Sequence, residues 1–166
     1  MMLEKILNYS KSQLFWLVVL RVLIGWHFLY EGLVKLVNPN WSSVGFLLDS
    51  EGIFKDLFHS LAANPNILNA TDFLNIWGLI AIGLSLILGL FSRYAIMAGI
   101  ILLSFYYLSH PPFIGLKYAM PMEGSYLIVN KILIELVVLV ILLLFPTAKQ
   151  IGLDRFIFKP RSKTID

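Results

Sequence analysis

The chain has 166 residues, of which 58% are hydrophobic and only 14% are charged, and its formal net charge is +3. This composition is unlike that of soluble globular domains and predicts an integral membrane protein. The excess of positive charge does not indicate nucleic-acid binding, because the basic residues cluster beside the apolar segments. The absence of cysteine excludes disulfides, thiol chemistry and Cys-ligated metal or iron–sulfur centres.

Four apolar runs dominate the chain, at residues 14–36, 73–91, 94–110 and 125–145. Each is close to the ~20 residues that a helix needs to cross about 30 Å of hydrocarbon. We therefore expect an all-α fold in which residues 1–166 form one domain, a bundle of four transmembrane helices. The first run is longer than a signal-peptide core and is not followed by a small-residue cleavage site, so we expect it in the mature protein.

The basic residues predict the orientation of this bundle. They lie before the first run, in the short turn between the second and third runs, and after the fourth run: Lys5, Lys11, Arg93, Lys149, Arg155, Lys159, Arg161 and Lys163. By the positive-inside rule both termini and that turn are cytoplasmic, whereas residues 37–72 and 111–124 are outside. The expected location is the cytoplasmic (inner) membrane of a bacterium.

The long outer loop of residues 37–72 mixes apolar and charged residues. This pattern predicts one or two short amphipathic helices at the outer surface, ending near Asn64 and Pro65. Helices in this position would cap the outer end of the bundle.

The first span carries four polar side chains that are costly in a bilayer: Arg21, His27, Glu31 and Lys35. At about 100° per residue these side chains fall, with two glycines, in one arc of roughly 160°. The opposite arc is apolar and is predicted to face lipid; it comprises Val18, Val19, Val22, Leu23, Trp26, Leu29, Tyr30 and Leu33. We therefore expect the function to reside on the polar arc.

The other three predicted spans also place polar groups toward the outer side of the membrane. These groups are Asn75 in the second span, Tyr106 and His110 in the third, and Lys131 and Glu135 in the fourth. At ~1.5 Å per residue, the depths below the outer end are roughly 8, 13, 9 and 15 Å for Glu31, His27, Lys131 and Glu135. The sequence thus predicts one ligand-binding pocket, open to the outside, that is lined by all of these residues.

Two interpretations of the charged residues remain open. In the first, Arg21, Lys35 and Glu135 form structural ion pairs that fix the order of the helices. Glu135 would then pair with Arg21 or Lys131, and Glu31 with Lys35 or Lys131. In the second, His27 and Glu31 exchange protons with a bound ligand and are the catalytic residues.

The small residues of the second span have a simpler interpretation. Gly78, Ser85 and Gly89 share an arc with Asn75. This arc predicts a seam at which another helix approaches closely.

Metal and haem chemistry fit the sequence poorly. His27, His59 and His110 lack the spacing of known zinc motifs, so no metal site is expected. A haem between His27 and His110 would need both side chains at one depth. The predicted depths differ, so no bound haem is expected.

The first span also carries a recognisable sequence pattern. Residues 21–35 read RVLIGWHFLYEGLVK and are followed by Asn38-Pro39 and Trp41. This stretch, the long first outer loop and the glycine-containing second helix ending at Ser92-Arg93 resemble the DoxX family, which includes the small DoxD-type subunit of thiosulfate:quinone oxidoreductase. The resemblance implies a small membrane protein associated with redox chemistry, which in some members passes electrons to quinone beside a partner subunit.

On this basis we expect a membrane subunit of a redox system that binds quinone, or a similar lipid-soluble ligand, in the polar pocket. His27 and Glu31 would carry protons and Lys131 would polarise a carbonyl. Electrons would come from a partner oxidoreductase, because the chain has no recognisable cofactor motif. The alternatives are a non-catalytic anchor or scaffold, and a small transporter or lipid-binding protein. Besides the bilayer and that oxidoreductase, further copies of the chain in a homo-oligomer are candidate partners.

Overall fold

The computed structural model describes residues 9–119 and 127–157, and within these ranges the chain forms seven helices and no strand. In chain order the helices are α1 (Lys11–Val37), α2 (Val44–Leu48), α3 (Lys55–Ala63), α4 (Pro65–Leu88), α5 (Ser92–Ser109), α6 (Lys131–Leu144) and α7 (Asp154–Ile157). The predicted all-α fold class is confirmed for this part of the chain.

Three of these helices, α1, α4 and α5, are long and apolar enough to cross a membrane. They correspond to the first three predicted spans. The helix α4 begins at Pro65, well before the predicted start at residue 73, because the side chain of Asn64 accepts hydrogen bonds from two backbone N–H groups of its first turn. A proline in that turn is also favourable, since its missing N–H would have no helical partner.

The helix α6 has 14 residues and begins at Lys131, where the side chain of Asn130 caps its first turn. The predicted fourth span starts at residue 125, and residues 120–126 lie outside the described part of the chain. Near the outer end of the bundle, the Tyr107 hydroxyl of α5 donates a hydrogen bond to the carbonyl of Ile128, which shows that α6 starts at the level where α5 ends. A fourth crossing by α6 stays a prediction, and this alignment favours it.

Close contact between α1 and α4 depends on glycine. A Cβ atom at Gly83 of α4 would lie only 2.5 Å from the backbone nitrogen of Leu29 in α1. Gly25 and Gly32 of α1 approach α4 similarly, since Cβ atoms there would lie 2.9 and 2.7 Å from α4 side chains. The close approach predicted at Gly78 is wrong, because a Cβ atom at Gly78 would meet no atom within 4 Å.

One apolar core is shared by α1, α4, α5 and α6. Its buried members are Ile24, Phe28, Leu79, Ile82, Leu86, Ile96, Leu103, Leu139 and Leu142. On the opposite side of α1, the side chains of Leu23, Trp26 and Tyr30 are each more than half exposed. The exposed side predicted for this helix is therefore confirmed at these residues, whereas Leu29 of the predicted arc lies with its backbone against Gly83 of α4.

The first outer loop forms the short helices that the sequence predicted. The helix α3 is amphipathic, with Phe58 buried and Asp56 and Ser60 exposed, and it ends directly before Asn64 as expected. The helix α2 is held at one end by the carboxylate of Asp72 in α4, which accepts hydrogen bonds from the backbone N–H and the hydroxyl of Ser43. Together with residues 110–119, α2 and α3 form what we call the outer cap.

The turn between α4 and α5 is held by residues 147–157, which we call the inner latch. The buried carboxylate of Asp154 accepts hydrogen bonds from the N–H groups of Phe91 and Ser92 at 2.7 and 3.1 Å and from the Ser92 hydroxyl at 2.6 Å. The first turn of α5 needs such an acceptor, because Phe91 occupies its N-cap position and has no capping side chain. Asp154 therefore caps α5 from 62 residues further along the chain.

The inner latch also binds Arg21 of α1. Its Nη1 donates to the Thr147 hydroxyl at 3.1 Å and its Nη2 to the Ile151 carbonyl at 2.8 Å, and Asp154 attracts the guanidinium electrostatically. The predicted pairing of Arg21 with Glu135 is wrong. Glu135 lies level with His27, about 9 Å along α1 from Arg21, because α6 runs antiparallel to α1.

Reporter insertions will test the fourth crossing. If α6 crosses the membrane, a reporter at Lys55 reports the outside and a reporter at Lys163 reports the cytoplasm, as the positive-inside rule requires. A reporter at Arg93, at the start of α5, is expected to report the cytoplasm whether or not α6 crosses and serves as the control. Signals from the same side at Lys55 and Lys163 would show that the chain crosses three times.

Substituting Asp154 by alanine tests the inner latch. The variant leaves two backbone donors and Arg21 without their carboxylate, so we expect a loss of about 3 kcal/mol in the free energy of unfolding. In a thermal melt in detergent this corresponds to a fall of roughly 6–10 °C. The matched control is Asp56→Ala on the exposed side of α3, which should change stability by less than about 0.5 kcal/mol. Equal effects of the two variants would contradict the capping role.

Candidate functional site

His27 of α1 and Glu135 of α6 meet between their two helices. The Nε2 atom of His27 lies 3.2 Å from Oε1 of Glu135, with the two side chains 34% and 13% exposed. Lys131 approaches the same carboxylate oxygen at 3.8 Å. This contact brings together an imidazole, a carboxylate and a cation among otherwise apolar helices.

Helix packing explains why this contact is accessible. α1 packs broadly against α4 but touches α6 at few positions. His27 consequently remains one-third exposed on the side of α1 that faces α6, and we call this lightly covered space between the two helices the α1–α6 cleft. Glu31 lies one turn beyond His27 on the same side of α1, and its side chain is 45% exposed.

A second polar group surrounds Lys35, nearer the outer end of α1. The Nζ atom of Lys35 lies 3.2 Å from the Glu31 carboxylate and donates hydrogen bonds to Asn75 Oδ1 at 3.0 Å and to the Tyr106 hydroxyl at 3.4 Å. The Asn75 amide donates to the same hydroxyl at 2.6 Å. Trp41 also packs against the ammonium, with its ring centroid 5.1 Å away. The three protons of Lys35 thus have three acceptors, and the network ties α1 to α4 and α5.

His110 belongs to a third group, inside the outer cap. Only 2% of the residue is exposed, and its ring lies between the rings of Phe46 and Tyr118 at centroid distances of 4.1 and 4.8 Å. Its Nε2 atom is 3.6 Å from Asp49, and its Nδ1 atom is 3.0 Å from the Ser109 hydroxyl. The predicted common pocket is therefore wrong for His110, because the outer cap encloses it away from His27.

The polar cluster does not open outward as predicted. Phe46 of α2 packs against both Tyr106 and His110, and the hydroxyl of Ser50 fastens the end of α2 to the Ser109 carbonyl. Within residues 9–119 and 127–157, the outer cap thus covers the outer end of α5. His27 and Glu31 are instead exposed at the side of the bundle, along the α1–α6 cleft.

An apolar groove of about 560 Å³ lies at the inner end of the same cleft. Its walls are formed mainly by Trp16, Leu17 and Leu20 of α1 and by Ile141 and Phe145 at the end of α6. The groove contains none of the residues predicted to bind ligand. Sequence reasoning did not find it, because it exists only where the ends of two distant helices diverge.

Metal ligands do not come together in the described ranges. No group of three His, Asp or Glu side chains within residues 9–119 and 127–157 is arranged to hold a metal ion. His27 and His110 lie in separate contact groups, the first with Glu135 and the second with Asp49.

Comparison with known protein families places this geometry in context. The family model DoxX matches residues 16–111, more than half of the 166-residue chain. The chain belongs to the DoxX family. No curated protein and no solved structure matches it in the same comparisons.

The DoxX match includes α1 to α5 and stops before α6. His27, Glu31 and Lys35 therefore lie in the matched region, whereas Lys131 and Glu135 do not. In this DoxX protein, the wall of the α1–α6 cleft that α1 forms lies in the matched region. The wall that α6 forms lies beyond it.

Three residues of structural importance were missed by sequence reasoning: Asp49, Thr147 and Asp154. Asp49 stands among the many charged residues of an amphipathic loop, and nothing in its neighbourhood marks it as the partner of His110. Thr147 and Asp154 follow the last apolar run, where the sequence shows only a basic segment. Their partners lie more than 60 residues away, so no local pattern could have identified them.

The outer cap should be sensitive to acid through His110. Burial lowers the pKa of His110 below its ordinary value, and Asp49 opposes this effect only in part. The folded protein therefore favours the neutral imidazole, and stability falls as the pH drops below about 6.5, where the unfolded chain takes up the proton. Between pH 7.5 and pH 5.5 we expect the free energy of unfolding to fall by about 1 kcal/mol more in the wild type than in His110→Gln, as measured by thermal melts. His59→Gln on α3 is the control, and an unchanged pH response in His110→Gln would contradict the assignment.

Proposed function

We propose that this DoxX protein is a small membrane subunit of a redox system, and that it binds a quinone or similar lipid-soluble ligand in the α1–α6 cleft. The observation that carries this proposal is the contact between His27 and Glu135 across the cleft. Both groups are polar, they lie in the middle of apolar helices, and His27 remains one-third exposed on the open side. Polar groups in such positions are expensive, and they commonly mark a functional site.

The chemistry of a quinone matches these groups. Reduction to a quinol takes up two electrons and two protons, and the ligand presents two carbonyl oxygens to hydrogen-bond donors. The imidazole of His27 donates a proton to one carbonyl oxygen of the quinone. The adjacent carboxyl group of Glu135 then returns a proton to His27. Lys131, on the exposed rim, stabilises negative charge that develops on the ring oxygen. Glu31, one turn further out, is the proton carrier nearest the outer cap.

The electrons come from a partner protein in this proposal, as the DoxX resemblance implies. The chain has no cysteine and no recognisable flavin or nucleotide motif. The ligand enters sideways from the bilayer, since the outer cap covers the outer end of α5 whereas the cleft is flanked by lipid-facing surface. With α6 as a fourth crossing, both termini lie in the cytoplasm and the partner binds from either side or within the membrane.

The second candidate function is that of a non-catalytic anchor, and the network around Lys35 favours it. Lys35, Glu31, Asn75 and Tyr106 satisfy one another across three helices. Such a network holds helices together without any ligand. The two functions make different predictions for the cleft, because an anchor needs His27 and Glu135 only for stability.

Variants of the cleft separate the two functions. We expect His27→Phe to weaken binding of a quinone analogue about tenfold, the effect of losing one charge-assisted hydrogen bond, and Glu31→Gln, which removes a proton carrier, to weaken it less. In both variants the melting temperature in detergent falls by only a few degrees. Both replacements keep approximate side-chain size, so the helices still pack. Binding is measured by titrating the purified full-length protein.

The controls change the same residue types outside the cleft. They are His59→Phe on α3 and Glu51→Gln, whose partner is the neighbouring Lys55 at 2.8 Å. Both should bind the analogue as the wild type does. Unchanged binding in the cleft variants, or a loss of folding as large as the loss of binding, favours the anchor.

A further inference from the structure

We propose that the apolar groove at the inner end of the α1–α6 cleft is a binding site for one inner-leaflet phospholipid, with an acyl chain between α1 and α6 and an ester or phosphate oxygen at Tyr9. This site is separate from the proposed quinone site. His27 lies seven residues beyond Leu20, the nearest groove residue on α1, which is about 10 Å along the helix.

The groove exists because the helices of the bundle end at different levels. Arg21 of α1 lies beside Gly89 in the α4–α5 turn, with Nη2 3.2 Å from a Cβ atom built there. Helix α1 begins ten residues before Arg21, so its first residue, Lys11, lies about 15 Å further along the helix axis. Among the described residues, Ile141 and Phe145 at the end of α6 line the other side of this part of α1, and the space between them is the groove.

The groove has one apolar end and one polar end. Leu17, Leu20 and Ile141 form the apolar part, which lies toward the centre of the bundle. Tyr9, with Ser12 and Gln13, forms the polar part at the inner end. Its volume of about 560 Å³ is within the range typical of small-molecule sites, ~300–1,000 Å³. An amphiphile whose head group lies at the inner membrane surface matches this polarity.

Tyr9 gives the second observation that points to a ligand. Its hydroxyl oxygen is buried, yet it has no hydrogen-bond partner among the described residues. Burial raises the pKa of Tyr9 above its ordinary value, so the hydroxyl keeps its proton and is a donor. A buried donor without an acceptor is unfavourable. The acceptor with matching chemistry at this depth is an ester or phosphate oxygen of a phospholipid.

The surroundings of the groove favour the inner leaflet. Trp16 is 64% exposed at its edge, and tryptophan and tyrosine are favoured at the boundary between hydrocarbon and head groups. Lys11 supplies a positive charge one turn from the polar end, which favours a lipid with an anionic head group. Phe145 meets the Tyr9 ring edge-on at 6.5 Å and closes the inner end beside the hydroxyl.

Retention of phospholipid by the purified full-length protein tests this site. The protein is incubated with mixed micelles that contain phosphatidylglycerol, and bound lipid is counted by native mass spectrometry. We expect the wild type to retain one lipid and Leu20→Trp, which fills the groove, to retain none. Tyr9→Phe should lower the affinity about fivefold, the effect of one hydrogen bond.

Two control variants make the same chemical changes elsewhere. Leu23→Trp adds the same bulk on the lipid-facing side of α1, and Tyr94→Phe removes a hydroxyl from an exposed tyrosine of α5. Both should retain lipid as the wild type does. If Leu20→Trp still retains one lipid, the lipid lies elsewhere and the proposed site is overturned. An equal loss in Tyr9→Phe and Tyr94→Phe would likewise overturn the role of Tyr9.

Discussion

The contact between α1 and α4 is the interaction on which the remaining structure depends. Gly25, Gly32 and Gly83 remove the Cβ atoms that would separate the two helices, so their backbones touch. This contact fixes the height of α1 relative to α4, which places Lys35 beside Asn75 at one end and Arg21 beside Gly89 at the other. Because α1 packs so closely against α4, its other side makes only a few contacts with α6. The cleft and the groove both follow from that uneven packing.

The charged residues form groups with different roles. The groups differ in how deeply the side chains are buried and in how many hydrogen-bond or ion-pair partners they have. Arg21 and Asp154 are almost completely buried and are bound by backbone and hydroxyl groups, so they hold the inner end together. Lys35 has an acceptor for each proton and connects three helices. His27 differs from all of these, since it remains partly exposed and its described partner is a carboxylate of a different helix. That difference is why the proposed chemistry is assigned to His27.

The extent of the DoxX match bears on how this site is built. The matched residues 16–111 contain His27 and the network around Lys35, whereas Glu135 is contributed by α6 beyond the match. The matched region therefore contains both sides of the α1–α4 contact, whereas the second wall of the cleft lies beyond it. Both proposed ligand sites use α6 as their second wall, while Leu139 and Leu142 of the same helix belong to the core, so α6 contributes both to ligand binding and to packing.

The sequence by itself determined the elements that depend on local composition. The apolar runs predicted the long helices, and the amphipathic pattern predicted α2 and α3. The arc of Leu23, Trp26 and Tyr30 predicted the exposed side of α1. These features could be predicted because hydrophobicity and helical period act within a single segment. The predicted depths also placed His27 and Glu135 at similar heights. Only the tertiary structure decided the partners: Arg21 binds the inner latch, His110 is enclosed with Asp49, and the cluster opens sideways. These outcomes depend on how each helix is rotated about its axis and on which chain ends extend past their neighbours. Such rotations and offsets are set by contacts between residues far apart in sequence, and no local pattern encodes them.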